Sequence, residues 1–437
     1  MAVYRTQPRL FIKQCLLLIL LVSILAESAE SEPLPQILNL SHTLKLITEG
    51  HSSLLEFDAQ VAESKARGLQ ESSGSGLTAN VLVDLRRVDR LADEGHRFVD
   101  DSRATLIVDK PFVTFGRSTD VKQMMGNLLA SSQQLRDEHM HWLRVQAIAS
   151  YLDIILADYE YAAKDEEMTL AFLTYDDARI EMENFGEVSE IEVTRREAIY
   201  LAALAERFAI EHKQRQTRQR LSSLLDRPSE FIAQLVEPDL NAYNQELSDV
   251  DEYVQEVLEN NRSLTAVKSR LAAATNLLAL GEKSSRPVLG FRFSATEYAE
   301  LFSGSRDQYR ASLYLNWPLV KSRQHLAESL DHQADQLRLK TEVLQYENEL
   351  RLRAMQLFHR LEQVDASIVA ANANLLHREL ELDKVRLQYE MEIRARIGSA
   401  NMEVARGVYE LYKLRFEKIR LWEQIEYLAG REPSVKF

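Results

Sequence analysis

The sequence predicts a mainly α-helical chain with a small β part, built from two internal repeats of long helices and short strands. Three observations support this prediction: glycine and proline are scarce, two helical segments are exceptionally long, and four short segments alternate apolar and polar residues. Only 14 glycines and 9 prolines occur in 437 residues, a composition that favours long helices. A chain of this length is expected to form two units or an extended shape.

The charge balance argues against a nucleic-acid partner. Lys and Arg total 53 and Asp and Glu total 67, which gives a net charge of −14. No basic patch stands out along the sequence, so the surface that would neutralise phosphates is absent.

Residues 1–28 are predicted to form a secretory signal peptide. An apolar run at 15–25 has the length of a signal core and is shorter than the ~20 residues that a membrane-spanning helix needs. Small residues precede the expected cleavage after Ser28, and the alternative is an uncleaved anchor. The only cysteine, Cys15, would leave with the signal. The basic residues before the apolar run are Arg5, Arg9 and Lys13.

An internal repeat organises the rest of the chain. Segments 34–228 and 243–432 follow the same plan, so we expect a first repeat at 29–228 and a second at 229–437. Each copy predicts a helix of about 35 residues, two short strands, a helix of about 65–70, a tight turn and a return helix of about 35–40. The landmark pairs are Leu54 with Leu264, Pro111 with Pro318, and Leu224 with Leu428.

The long helices are predicted at 118–183 and 320–389, which contain no proline. At 1.5 Å per residue each would extend on the order of 100 Å. Apolar residues in the second segment spread over more than one narrow stripe, so this helix is expected to pack against neighbours on two sides.

Four strands are predicted near 77–88, 103–111, 287–297 and 309–318, with apolar and polar residues in alternation. About nine residues of this pattern fit a tilted transmembrane strand with its apolar side toward lipid. A soluble half-buried hairpin gives the same alternation, so the pattern leaves both alternatives open. The predicted lipid-facing residues are Leu289, Phe291, Phe293, Leu313, Leu315 and Trp317.

Four strands cannot close a barrel, because the smallest need about eight. Open strand edges are not tolerated in lipid. A membrane interpretation therefore requires several chains to pool their strands, and a homotrimer would supply about twelve.

The sequence resembles the TolC-like outer membrane factors, a family of outer-membrane efflux and secretion channels. The most specific segment is MENFGEVSEIEVTRREA at 182–198, which is similar to the helix–turn–helix tip of that family. The segment VLENNRSL at 257–264 is a further likeness. Another is a proline at each predicted strand-to-helix junction, Pro111 and Pro318, where proline can begin a helix without losing a needed hydrogen bond.

The resemblance implies a homotrimeric channel in the outer membrane of a Gram-negative bacterium, with a β-barrel and a periplasmic α-helical tunnel. It further implies docking to a periplasmic adaptor (membrane fusion) protein and an inner-membrane transporter, in a tripartite efflux or type I-like secretion system. The second tip, at 389–404, lacks a glycine after its aromatic residue, and the family's carboxylate ring cannot be transferred to it. The candidate adaptor-docking residues are Gly186, Val188, Ser189 and Ile191, with Gly398, Ser399 and Ala400 as weaker counterparts.

No residue pattern indicates an enzyme, a cofactor or a metal site. His139 and His141 are two positions apart in a predicted helix, so they point in different directions and cannot share an ion. His325 and His332 lie near one helix face, and a metal-dependent enzyme is the most distant alternative. The nearer alternative is an exported, soluble periplasmic coiled-coil scaffold or adaptor without a barrel.

Overall fold

The predicted fold class is confirmed in a computed structural model, which has long α-helices and a small β part. The predicted signal peptide at 1–28 and part of the second tip, 392–396, lie outside the described residues. The structure describes residues 35–73, 76–92, 95–239, 243, 249–299, 308–319, 323–391 and 397–434.

Two helices dominate the described chain, with 69 and 68 residues. Each therefore extends about 100 Å, and a return helix follows each of them. Few helix breakers occur in these segments, so backbone hydrogen bonding continues without interruption. The described helices are α1 (Leu40–Leu46), α2 (Leu55–Ser73), α3 (Arg117–Phe185), α4 (Glu190–Leu224), α5 (Val250–Asn260), α6 (Arg262–Glu282), α7 (Arg323–Glu390) and α8 (Ile397–Leu428).

The strands form a principal sheet and two smaller pairings. The principal sheet is antiparallel and four-stranded, in the order β2-β5-β7-β8, so it joins the two repeats through the β5–β7 pair. The β3–β4 hairpin extends beyond it, and β1 pairs with β6 in parallel. The strands are β1 (Ile37–Leu38), β2 (Thr78–Asp84), β3 (Arg87–Ala92), β4 (Gly95–Asp100), β5 (Arg103–Val113), β6 (Gln234–Leu235), β7 (Val288–Tyr298) and β8 (Tyr309–Asn316).

The prediction of one helix of about 35 residues at the start of each repeat was wrong. The first repeat has α1 and α2 there, and the second has α5 and α6, which meet at Asn261. The Asn261 side chain accepts a hydrogen bond from the Leu264 N–H at 2.9 Å, while its own N–H donates to the Val257 carbonyl at 3.0 Å. Asn261 thus ends one helix and caps the next, because a short polar side chain competes with the helical backbone.

The two prolines predicted at strand-to-helix junctions lie close to the ends of strands, before the long helices start. Pro111 lies inside β5, where the register shifts between Pro111 and Val113, and α3 begins only at Arg117. Pro318 follows the end of β8, and the described part of α7 begins at Arg323. A proline is tolerated at an irregular strand end, which is where Pro111 lies.

The hydrophobic core lies where the two repeats meet, a region that we call the waist. There α3 packs against α2, α4, α6 and α8, and α7 packs against α5, α6 and α8. Tyr151 on α3 is fully buried, and its hydroxyl lies 2.9 Å from the Leu38 carbonyl oxygen and 2.5 Å from that of Val236. Tyr253 on α5 donates to the Ile425 carbonyl on α8 at 3.0 Å. Tyr151 therefore joins α3 to the short β1–β6 ladder, and Tyr253 joins α5 to α8.

Candidate channel surfaces

One face of the principal sheet is apolar. The register pairs Val81 with Leu106 and Leu106 with Ala295, and it pairs Phe291 with Leu313. Directly opposite residues project to the same side of a sheet, so these side chains form one continuous surface. Lys110, opposite Phe291, and Glu297, opposite Ala104, are charged residues on this face.

This apolar face is largely uncovered in the protomer. Leu313 is 71% exposed, Leu315 is 59% exposed and Val81 is 70% exposed. Leu289 and Phe293 are half-buried, and Phe291 is exposed. Trp317 follows the last residue of β8 and is exposed as well. All six predicted lipid-facing residues therefore lie on this face or directly after it.

The opposite face is polar and carries a bridge across three strands. Asp109 on β5 accepts a hydrogen bond from Arg292 Nε on β7 at 2.7 Å and from the Tyr314 hydroxyl on β8 at 2.9 Å. The Tyr314 ring reaches β5 by crossing Gly290, where an added Cβ would lie 2.4 Å from the ring. Sequence reasoning missed this bridge, and a glycine within an alternating strand was its only signal.

The outer strands of the principal sheet are β2 and β8. Each has a neighbour on one side only within the described part of the chain. Their outer edges consequently carry backbone N–H and C=O groups without a strand partner in the protomer.

The first tip is the turn between α3 and α4. Gly186 has φ 63° and ψ 18°, and its N–H donates to the Met182 carbonyl at 3.2 Å. Glycine tolerates this left-handed conformation, and no atom lies within 4 Å of the position that a Cβ would take. A larger residue at position 186 would therefore be disfavoured by the left-handed backbone conformation and not by a clash with neighbouring atoms.

Capping fixes the start of the return helix. The Ser189 side chain accepts a hydrogen bond from the Glu192 N–H at 3.3 Å. Glu192 also binds Arg195 at 2.7 Å and Arg196 at 2.8 Å. Among the other candidate docking residues, Ile191 is 83% exposed and Val188 is half-buried.

The second group of tip residues lies at a different height. An added Cβ on Gly398 would lie 3.1 Å from Leu170 of α3, which precedes Gly186 by about 24 Å along the helix axis. Ser399 and Ala400 line a groove of about 270 Å³ between α7 and α8. The seven candidate residues therefore form two separate surfaces, because the α3–α4 hairpin extends further than α8.

The histidines singled out in the sequence are not brought together. His325 Nδ1 lies 3.3 Å from Glu328, in a pair exposed on both sides. His139 stacks between Phe57 and Trp142. His141 is buried, and burial lowers its pKa to about 4. No group of three or more potential metal ligands occurs in the ranges that the structure describes.

No described helix combines the length and the apolar character required to span a bilayer.

Comparisons with known proteins show which class of fold this is. No protein-family model matches the sequence, and no curated protein matches it either. Solved structures do match over most of the chain, and several of them are outer-membrane channels. The chain therefore has the fold of the TolC-like channels, and the predicted resemblance is confirmed at the level of the fold.

Three of these structures are similar in size and shape. The outer membrane protein VceC from Vibrio cholerae has a TM-score of 0.70 and 13% identity, covering 90% of this chain and 96% of its own. The Campylobacter jejuni CmeC outer membrane channel has a TM-score of 0.70 and 12% identity, covering 94% and 92%. The open state of the Neisseria gonorrhoeae MtrE outer membrane channel has a TM-score of 0.69 and 14% identity, covering 91% of both chains.

Proposed function

We propose that this chain is a protomer of an outer-membrane channel of the TolC-like outer membrane factor family, located in the outer membrane of a Gram-negative bacterium and extending into the periplasm. One observation carries the proposal. A sheet with an exposed apolar face and a polar face stands at the end of helices about 100 Å long. In a membrane barrel, the apolar face of such a sheet would contact lipid and the polar face would line the lumen.

The open edges of β2 and β8 support assembly into a homotrimer. In lipid, every backbone polar group must find a protein partner. Three chains would pair β8 of one protomer with β2 of the next, which would close about twelve strands into one barrel. The return helices would line a periplasmic tunnel below it.

Transport through such a conduit is passive and needs no catalytic group or cofactor. The polar face of the sheet would line the lumen, where Asp109 and Arg292 neutralise each other. Opening would take place at the tips, which are the points farthest from the sheet. We therefore assign no residue a chemical role.

The tips are the parts placed to meet a periplasmic adaptor and, beyond it, an inner-membrane transporter. The exposed Ile191 and Ser189 support docking at the first tip. Ser399 and Ala400 line a groove above it. A partner that binds both surfaces would need an elongated shape, such as a helical hairpin, because the surfaces differ in height by about 24 Å.

The alternative is a soluble periplasmic scaffold. A soluble scaffold does not explain why Leu313, Leu315 and Val81 are exposed on one continuous face. Contiguous exposed apolar surface marks a contact with a partner or a membrane.

The test is to express the full-length chain, fractionate the cells and reconstitute the purified protein in planar bilayers. We expect it in the outer membrane, with the mass of a trimer and with single-channel conductance. Recovery in the soluble periplasmic fraction would support the scaffold instead. A monodisperse monomer that conducts would contradict the pooled barrel.

A further inference from the structure

A cavity of about 420 Å³ lies where the principal sheet meets the helices. All its strand residues belong to the polar face of the sheet. They come from all four strands, and the remaining walls come from α2, α3, α6 and the loops beside them. The strand residues are Thr78, Asp109, Pro111, Val288, Tyr314 and Asn316.

The cavity wall is rich in groups that can donate hydrogen bonds. Hydroxyls come from Ser73, Thr78, Thr114 and Ser118, and Asn316 adds an amide. Thr114 and Ser118 are 3.0 Å apart and hydrogen-bonded to each other, so one wall is already ordered. Ser73 and Thr78 donate to the Gln70 and Asp109 carbonyls, so these two hydroxyls would have to rotate before they donate to an oxygen-rich ligand.

The charge in the cavity is unbalanced. Among the described residues of its lining there is one carboxylate, Asp109, and it is occupied by Arg292 and Tyr314. Arg117 also lines the cavity and is half-buried. Within the described ranges its guanidinium makes no hydrogen bond and no ion pair. A half-buried cation without a counter-ion favours an anionic ligand.

Two further cations lie close to Gly116, the residue before Arg117. Lys283 Nζ and Arg286 Nη1 would lie 3.7 and 4.0 Å from a Cβ added to Gly116. Lys283 pairs with Asp120 at 2.6 Å. Arg286 instead donates to the neutral Phe115 carbonyl at 2.9 Å. This corner is therefore positive in a protein whose net charge is −14.

We propose that this cavity, with Arg117 as its anchoring cation, is a binding site for small oxyanions, meaning phosphate or carboxylate groups carried by a solute on the conduction path. The proposal rests on the proposed channel function, because it assumes that the polar face lines the lumen. The same headgroup chemistry occurs in anionic lipids. The cavity opens on the face opposite to the apolar surface, so a dissolved solute is the occupant that we assign.

The repeat supplies a matched control. Arg117 is the first residue of α3, and Arg323 is the first residue of α7. Arg323 is exposed and does not line the cavity. Replacing each arginine by glutamine removes one positive charge at corresponding places in the two repeats.

The experiment measures binding of radiolabelled inorganic phosphate to the purified full-length protein in neutral detergent by equilibrium dialysis. We expect Arg117→Gln to weaken phosphate binding by about tenfold or more, the size of a lost charge-assisted hydrogen bond. Arg323→Gln should bind like wild type, and Arg117→Lys should bind more tightly than Arg117→Gln. Arg286→Gln should weaken binding by a smaller factor and provides a second variant if Arg117→Gln assembles poorly.

Equal phosphate affinity in wild type, Arg117→Gln and Arg286→Gln would overturn the site. Loss of phosphate binding in nanodiscs that contain phosphatidylglycerol, but not in phosphatidylcholine nanodiscs, would assign the cavity to a lipid headgroup and contradict our occupant. Bilayer conductance in potassium chloride is recorded in parallel. A protein that binds phosphate through Arg117 but does not conduct would refute the channel function and leave the anion site standing.

Discussion

The waist and the principal sheet use apolar residues in opposite ways. At the waist, Tyr151 and Ile154 are fully buried within a single chain. On the sheet, Leu313 and Val81 have 71% and 70% of their surface accessible. The apolar residues of the waist are therefore buried within one protomer. Those of the sheet stay exposed in the described part of the protomer.

This difference separates two kinds of stability. Changes at the waist should act on the folding of each chain, because its contacts are made within that chain. Changes on the sheet should act on membrane assembly, because its apolar face and its two edges have no cover in the protomer. Variants in the two regions can test whether this separation holds.

The largest effect is expected at the waist. Tyr151→Ala removes a fully buried ring and its two carbonyl contacts, and it should lower the free energy of unfolding by roughly 3–5 kcal/mol. Urea titration of the purified protein in detergent measures the change. Tyr389→Ala, at an exposed position on α7, is the matched control and should change little. Equal effects of both variants would remove the waist as the folding core.

The next effect is expected on the sheet. Leu313→Arg should impair membrane assembly, costing roughly 2–4 kcal/mol if the residue lies at the bilayer midplane. Asn316→Arg, on the polar face of the same strand, should assemble normally. The amount of trimer extracted from outer membranes measures both. If the two variants are tolerated equally, the assignment of the apolar face to lipid is wrong.

A smaller, pH-dependent effect is expected from Glu423 of α8. Burial raises its pKa to about 7, although the Tyr243 hydroxyl and the Ser434 N–H lower it in part, and nearby Glu426 adds to the rise. Because an unfolded glutamate titrates near 4.5, the folded chain binds more protons between these values. This contribution to stability is present below about pH 4.5 and is lost as the pH rises through about 7.

Thermal unfolding of the wild type should therefore shift to lower temperature as the pH rises from 5 to 8. The slope contributed by one proton is at most about 1.4 kcal/mol per pH unit. Glu423→Gln should remove that part of the slope. An unchanged slope in this variant would show that Glu423 does not titrate in this range.

At the first tip, the main effect of Ser189→Arg is expected on docking, because loss of a helix cap costs only about 1 kcal/mol. Ser189→Arg should leave trimer yield and membrane insertion unchanged but abolish transport and adaptor cross-linking. Gly186→Val should instead lower trimer yield, because φ 63° strains a β-branched residue. Normal transport and normal adaptor cross-linking in Ser189→Arg would exclude this tip from the mechanism.

The periodic parts of this fold could be predicted from the sequence, and the long-range parts could not. The alternation in β7 and β8 was visible because a sheet with two different faces repeats every two residues. The β3–β4 hairpin was missed because its charged residues interrupt that alternation. The bridge from Tyr314 to Asp109 joins residues of different repeats, and no local pattern encodes such a contact.

Burial of polar groups was equally hidden. Glu423 lies on a helix with many charged residues, and only tertiary packing leaves it 1% exposed. Arg117 looked like one of many surface arginines until the structure placed it in a cavity. The different heights of Gly186 and Gly398 depend on how α8 packs on α3, and the repeat plan alone does not contain that information.

The central claim is that protomers pool their strands through the open edges of β2 and β8. The most direct test combines Leu313→Cys on β8 with single cysteines scanned along β2 at Ala79, Val81 and Val83, followed by oxidation in native membranes. The only native cysteine, Cys15, is predicted to leave with the signal peptide. A cysteine at Leu106 on the inner strand β5, paired with one at Val81, is the control and should give only links within a protomer. We predict covalent dimers and trimers on denaturing gels for at least one β2 position. If every β2 position gives only monomers on denaturing gels, although the native protein has the mass of a trimer, the pooled sheet is contradicted.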